Sequence, residues 1–222
     1  MIEQSINNKQ NYKLAVRWKW LTNYYDTFVA VLMREKDFRT ALLNQFQNKN
    51  PQKILDIGCG TGTLAIMLKQ KFSQAVVAGL DGDANILEIA KTKAQKAEVK
   101  LDLRRGFSTD LPFENESFNV VTNTIMLHHL SDEDKIVTLK EAHRVLKSGG
   151  EINVADWGSP SNYLTGFGYY FIQLLDGFDT TTSNRKGLIL QFLRETGFTS
   201  ATENTRVDTI LGTICLYQGI KS

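Results

Sequence analysis

Residues 53–62 read Lys-Ile-Leu-Asp-Ile-Gly-Cys-Gly-Thr-Gly, and no other stretch limits the fold so tightly. A short apolar run carries an aspartate, Asp56, near its end. Gly58, Gly60 and Gly62 follow at alternate positions, and an apolar helical pattern starts at once with Leu64, Ala65, Met67 and Leu68. That is the order of a buried strand, a tight turn and a helix N-terminus. Glycine suits such a turn because it takes φ > 0 and lets a ligand approach the backbone. The unpaired amides of the helix start then face an anionic group. An ordinary strand-to-helix turn needs only one glycine, so three point to a nucleotide-type ligand.

Strands and helices alternate from this point on. Apolar runs and alternation place strands at Lys53–Ile57, Ala75–Leu80, Lys100–Arg105, Ser117–Thr122 and Glu151–Ala155. Helices are expected over Thr63–Lys71, Asp83–Lys96 and Ser131–Leu146, the last stopped by Lys147-Ser148-Gly149-Gly150. Ile86, Ile89, Ala90 and Ala94 form the expected inner side of the second of these. Such alternation argues for a parallel sheet with helices on both faces. Beyond Asp156 come a loop over 157–162 and helices at Leu164–Leu175 and Arg185–Thr196. Strands at Thr199–Asp208 and Thr213–Ile220 follow, joined so closely that they must be antiparallel. Before the core, Leu14, Trp18, Leu21, Tyr25, Phe28 and Leu32 recur at helical steps, with a break at Arg34–Asp37 and a second helix carrying Phe38, Leu42 and Phe46. The expected organisation is one domain over 1–222. It comprises an N-terminal helical lid (1–50), a cofactor-binding core (51–156), a helical substrate cover (157–197) and C-terminal strands (198–222).

The glycine spacing separates cofactors. The dinucleotide fingerprint G-x-G-x-x-G would need a glycine at position 63, which is Thr63. The pattern here is G-x-G-x-G. With Asp56 it closely resembles motif I of the class I S-adenosylmethionine-dependent methyltransferases, and the resemblance runs from about Ile54 to Asp156. The family resemblance implies a Rossmann-like, doubly wound α/β sheet of seven strands, mostly parallel, ending in an antiparallel hairpin. It also implies S-adenosylmethionine as cofactor and methyl transfer as activity. Tyr24-Tyr25-Asp26 resembles an N-terminal lid element of the ubiquinone and menaquinone methyltransferase branch.

The candidate cofactor residues are Asp56, Gly58, Gly60, Thr61, Gly62, Asp81, Gly82, Ile86, Phe107, Ser108, Asn123 and Thr124. Asp81 ends the second strand, where an acidic side chain can accept bonds from both ribose hydroxyls. Asp83, three residues before Ile86, is the better helix cap. The family resemblance sets Ile86 against the adenine. Gly106-Phe107-Ser108-Thr109-Asp110-Leu111-Pro112-Phe113 resembles a further family motif whose second residue is usually Asp. Phe107 cannot accept a bond from the adenine amino group, which leaves Ser108 to supply one. Asn123 is expected just past the fourth strand. Ligands of open α/β sheets bind beyond strand ends near the reversal of strand order, which puts Asp56 beside Asn123 and Thr124. The resemblance assigns that edge to the methionine part of the cofactor.

Methyl transfer from a sulfonium needs a base only where the acceptor must lose a proton. His128, Asp156 and Tyr163 are the candidates, in that order. No metal is expected at His128-His129, because neighbouring side chains diverge and no cysteine or carboxylate has ligand spacing. The aromatic-rich flanks supply the expected substrate pocket, with Tyr24, Tyr25, Trp157 and Tyr163 named for it. The expected partner is a small molecule. A net charge of +2 gives no general pull toward nucleic acid, and the basic stretch from Lys91 to Arg105 has no interleaved aromatics. Two cysteines are too few for a disulfide framework. The polar N-terminus and the lack of a long apolar run set the expected location in the cytoplasm, with transient membrane contact for a lipophilic substrate. Two other readings stay open: a nicotinamide-dependent oxidoreductase and a catalytically silent cofactor-binding module.

Overall fold

A computed structural model describes residues 33–47 and 50–222. Seven strands form one sheet in the order β3-β2-β1-β4-β5-β7-β6. They are β1 (Lys53–Ile57), β2 (Val76–Asp81), β3 (Asp102–Arg105), β4 (Phe118–Thr124), β5 (Leu146–Trp157), β6 (Phe198–Thr209) and β7 (Gly212–Lys221). The first five pair in parallel, and β7 runs antiparallel to both β5 and β6. β1 is buried from Ile54 to Ile57 because both sheet faces are covered.

The connecting helices are α1 (Glu35–Gln45), α2 (Thr63–Lys71), α3 (Ala84–Lys96), α4 (Asp132–Val145), α5 (Tyr163–Asp176), α6 (Phe178–Arg185) and α7 (Ile189–Glu195), with a 3-10 turn over Leu127–His129. One core gathers Phe38, Leu42, Leu64, Leu68 and Tyr169 from α1, α2 and α5. The other gathers Leu139, Ala142, Val145, Ile189 and Leu193 from α4 and α7. α1 starts directly after Arg34, which takes a left-handed conformation (φ 52°), so Glu35–Asp37 of the expected break are already helical. The expected residues before Met33, Tyr24 and Tyr25 among them, lie outside the described residues.

Several expected boundaries move. α4 ends at Val145, and Lys147–Gly150 enters β5 instead of acting as a stop. The register of β4 against β5 slips between Phe118 and Val120, which absorbs the extra residues. β4 runs two residues further than expected, so Asn123 and Thr124 belong to the strand. The helix expected over 185–196 is α7, shortened to Ile189–Glu195, and α6 (Phe178–Arg185) precedes it where no helix was expected. On α3 the buried side is Leu87, Ala90 and Ala94, while Ile89 is exposed. Trp157 ends β5 as a fully buried residue packed on Tyr169, where a loop was expected.

α5 opens with a reciprocal cap between Asn162 and Thr165. It lies so close to the β6–β7 turn that a Cβ on Gly168 would sit 2.1 Å from the Ile210 carbonyl oxygen. Its opposite face exposes Tyr163, Leu164, Phe167, Phe171, Leu174 and Leu175. No helix among the described residues is long and apolar enough to cross a membrane.

Candidate active site

β1 and β4 are neighbours at the reversal of strand order, and their carboxyl ends bring the candidate residues together. Asp56 pairs in register with Thr122, and Ile57 with Asn123. Directly beyond β1, the amides of Gly58 and Cys59 both donate to the Leu80 carbonyl, which folds the glycine turn over the end of β2. Gly58, Gly60 and Gly62 take φ of +67°, +52° and +76°, the left-handed region that favours glycine. Gly58 presses on Met126, where a Cβ would lie 2.6 Å from Met126 Cγ. Gly60 differs: a Cβ there would meet nothing within 4 Å. Cys59 fills a gap beside Gly79, and burial pushes its thiol well above the usual range, so it is inert packing.

Asp81, at the end of β2, braces the turn. Its Oδ2 accepts from Gly60 N at 2.9 Å and its Oδ1 from Asp83 N at 3.0 Å. Asp83 caps α3 as expected, accepting from Asn85 N at 2.8 Å. Each carboxylate oxygen can accept more than one bond, so Asp81 keeps acceptor capacity for a ligand hydroxyl. Gly82 follows, its carbonyl taking a bond from Arg105. The Thr61 hydroxyl is held by Lys93 of α3 at 3.1 Å.

The 106–108 segment lies beside Asp81, because Gly106 N donates to the Asp81 carbonyl. Phe107 is more than one-third exposed (37%), and Ile86 is half-buried in the first turn of α3. The Ser108 hydroxyl is engaged with Thr138 of α4 at 2.8 Å, so a ligand contact from Ser108 would have to share it or use the backbone.

Asp56 lies fully buried beneath the turn. Thr122 Oγ1 donates to its Oδ1 at 2.9 Å, and its Oδ2 has no hydrogen-bond partner. Burial pushes its carboxyl up to about 7, with the Thr122 bond and Arg39 pulling the other way and Asp81 adding to the rise. The Asn123 amide donates to the Ile57 carbonyl at 2.8 Å, leaving its Oδ1 buried and unbonded. Arg39 of α1 donates to Thr124 Oγ1 at 3.1 Å. Arg39 was not singled out from the sequence, since one arginine on a helix face carries no local signal.

His128 and Asp156 form a buried pair, Nδ1 to Oδ1 at 2.7 Å. Trp157 N donates to the same Oδ1 and Met126 N to Oδ2. Burial works against the Asp156 charge, but His128, the Trp157 amide and His129 hold the carboxyl below its usual range. Asp156 is therefore fully occupied as an orienting group. Tyr163 stands apart in solvent, on an open groove of α5 with Phe167 and Arg185 that no residue of the glycine turn lines.

Two buried acceptors without partners and an open space above a left-handed glycine, all at one end of β1 and β4, fit a polar ligand laid across the turn. The sheet order and the glycine turn define a Rossmann-like α/β core with its candidate ligand site at the reversal of strand order. The model of the methyltransferase domain family matches residues 54–150. Over that stretch the chain is similar to methyltransferase domains, and the curated relatives it matches include demethylmenaquinone methyltransferases. It is 31% identical over 153 residues to the demethylmenaquinone methyltransferase of Oceanobacillus iheyensis, covering 66% of this chain and 63% of that relative. It is 34% identical to the Thermus thermophilus enzyme of the same name, covering 57% of this chain and 58% of the relative. The chain thus spans under two thirds of the length of these relatives. Its fold matches an S-adenosylmethionine-dependent methyltransferase of Thermotoga maritima with a TM-score of 0.68 at 20% identity, covering 92% and 97% of the two chains. It also matches the Haemonchus contortus phosphoethanolamine N-methyltransferase 2 complex with S-adenosylhomocysteine, at a TM-score of 0.65 and 19% identity, covering 83% and 53%.

Proposed function

We propose that this chain transfers a methyl group from S-adenosylmethionine to a small-molecule acceptor of the demethylmenaquinone type named for its curated relatives. The observation that carries this reading is the left-handed Gly60, open above its Cα and braced by Asp81, at the strand ends that also carry the unpartnered oxygens of Asp56 and Asn123. When bound, S-adenosylmethionine supplies a methyl group on a positively charged sulfonium, so the electrophile arrives already activated. The chain's own residues bind, align and exclude water.

In this reading Asp81 and Gly82 hold the ribose, and Ile86, Phe107 and Ser108 surround the adenine. Gly58, Gly60, Thr61 and Gly62 cradle the methionine moiety. The unpartnered oxygens of Asp56 and Asn123, with Thr124 beside them, receive its ammonium end. His128 is the retained candidate for taking a proton from the acceptor, because Asp156 engages its Nδ1 and leaves Nε2, 3.7 Å from Asp176 Oδ2, to accept it. Asp156 is a positioning residue. Trp157 supports the pocket from behind through its contact with His128. Tyr24, Tyr25 and Tyr163 are proposed as its cover, with the apolar face of α5 open to membrane contact for a lipophilic acceptor.

Calorimetric titration with S-adenosylmethionine and its demethylated product tests the binding half of the proposal. Wild-type protein should bind both, and folded Gly60→Val should bind neither, because a branched side chain fills the open space and strains the turn. Normal affinity in that variant would remove the glycine turn from the site. Transfer of labelled methyl to a demethylmenaquinone-type compound tests the acceptor.

A further inference from the structure

The adjacent imidazoles of His128 and His129 do not diverge. Their ring centroids lie 3.9 Å apart with planes at 44°, which removes the premise on which a metal was not expected. A carboxylate meets them from α5, far away in sequence. Asp176 Oδ2 lies 3.7 Å from His128 Nε2, and its Oδ1 lies 3.8 Å from His129 Nδ1. One ligand atom from each of the three residues falls within 4.8 Å of the others.

We propose that His128, His129 and Asp176 bind one divalent first-row transition-metal ion, with its remaining coordination positions open. Two imidazole nitrogens and one carboxylate oxygen are the donor set of open zinc and non-haem iron sites. Ligands about 2.1 Å from a central ion stand roughly 3–4 Å apart, so the separations here need only a small closing movement. The outer arrangement agrees. A metal-bound histidine usually gives its other ring nitrogen to a carboxylate, which fixes the ring, and Asp156 does this for His128 at 2.7 Å. The site joins the 3-10 turn to the end of the covering helix, and Met126 of the same turn rests against Gly58.

The inference rests on the reading of this edge as the acceptor end of a methyltransferase site. An ion there would occupy the His128 nitrogen that otherwise takes the acceptor's proton. It would instead lower the pKa of a coordinated acceptor hydroxyl. The substrate class that follows is a hydroxyl-bearing acceptor.

The test uses the full chain freed of metal with a chelator, then titrated with Co²⁺ and Zn²⁺. Background is low, because the chain has only three histidines and both its cysteines are buried. The expected result is one ion per chain, with visible d–d absorption for Co²⁺. His129→Ala and Asp176→Asn should each weaken binding at least tenfold, and Asp156→Asn roughly 10–100-fold. Circular dichroism of each variant checks the fold, and Asp176→Glu should retain binding where Asp176→Asn does not. Absent binding, or binding unchanged in folded His129→Ala and Asp176→Asn, overturns the site. Titration with S-adenosylmethionine in chelator separates the two readings. Intact cofactor binding without metal binding sinks only the metal site, and metal binding without cofactor binding sinks the methyltransferase reading.

Discussion

Two aspartates near the glycine turn have different work, although they lie only two residues apart. Asp81 accepts the amides of Gly60 and Asp83, whereas Asp83 caps α3. Asp81→Ala should weaken S-adenosylmethionine binding by roughly 2–4 kcal/mol, since a charged acceptor is lost and the turn amide is left unpaired. Asp83→Ala should instead cost about 1 kcal/mol of fold stability. Calorimetry and thermal melts of both variants check this, and equal cofactor affinities would remove Asp81 from the site. Asp56 sets a pH dependence of the ligand-free protein. Its carboxyl holds a proton up to about 7 in the fold, but releases it near pH 4 when unfolded. Between those values the native state binds more protons, so stability falls as pH rises through the window. The limiting loss is on the order of 4 kcal/mol. Asp56→Asn should flatten the decline, and denaturant unfolding at pH 5 and pH 8 measures it. A decline of the same size in the variant would clear Asp56 of the effect.

The elements were legible where local pattern and global demand agree. β1, the glycine turn and α2 could be placed from residues 53–71, because a buried apolar run followed by left-handed glycines has few other uses. Asp83 as a cap was equally local. The failures are nonlocal. Nothing near Lys147–Gly150 announces that β4 will draw these residues into β5 by a register slip. Trp157 reads as a loop aromatic until β7 pairs beside it and Tyr169 packs on it. Arg39 and Asp176 reach the site from helices far away in the chain, so their roles have no sequence spacing to betray them. α5 packs on β7 and α6 and leaves an apolar outer face exposed. Hydrogen exchange in residues 163–176 should slow on adding the demethylated cofactor, while β1 should be protected beforehand. Unchanged exchange in α5 would mean that it is a fixed wall and no cover.

On the scale of the whole molecule, ligand binding and stability should move together. The glycine turn, β2, β4 and α1 meet at one place, and a ligand that bridges them binds only the folded chain. At a hundred times its dissociation constant, S-adenosylmethionine should add about 2.7 kcal/mol. For a chain of this size that is a rise of roughly 5–10 °C in melting temperature. Differential scanning across a concentration series checks this, and a flat series would count against a preformed site. The position of β7 bears on how such a molecule is made. β7 is the last of the seven strands in chain order, yet it lies inside the sheet, between β5 and β6. On the ribosome, the strands that carry the glycine turn and Asn123 emerge early, while β5 must wait with an open hydrogen-bonding edge until β7 slots in. An early pairing of β6 with that edge would have to be undone. A stalled nascent chain ending soon after Thr124 would therefore report, through cofactor capture, whether the first half of the sheet assembles before its frame is closed.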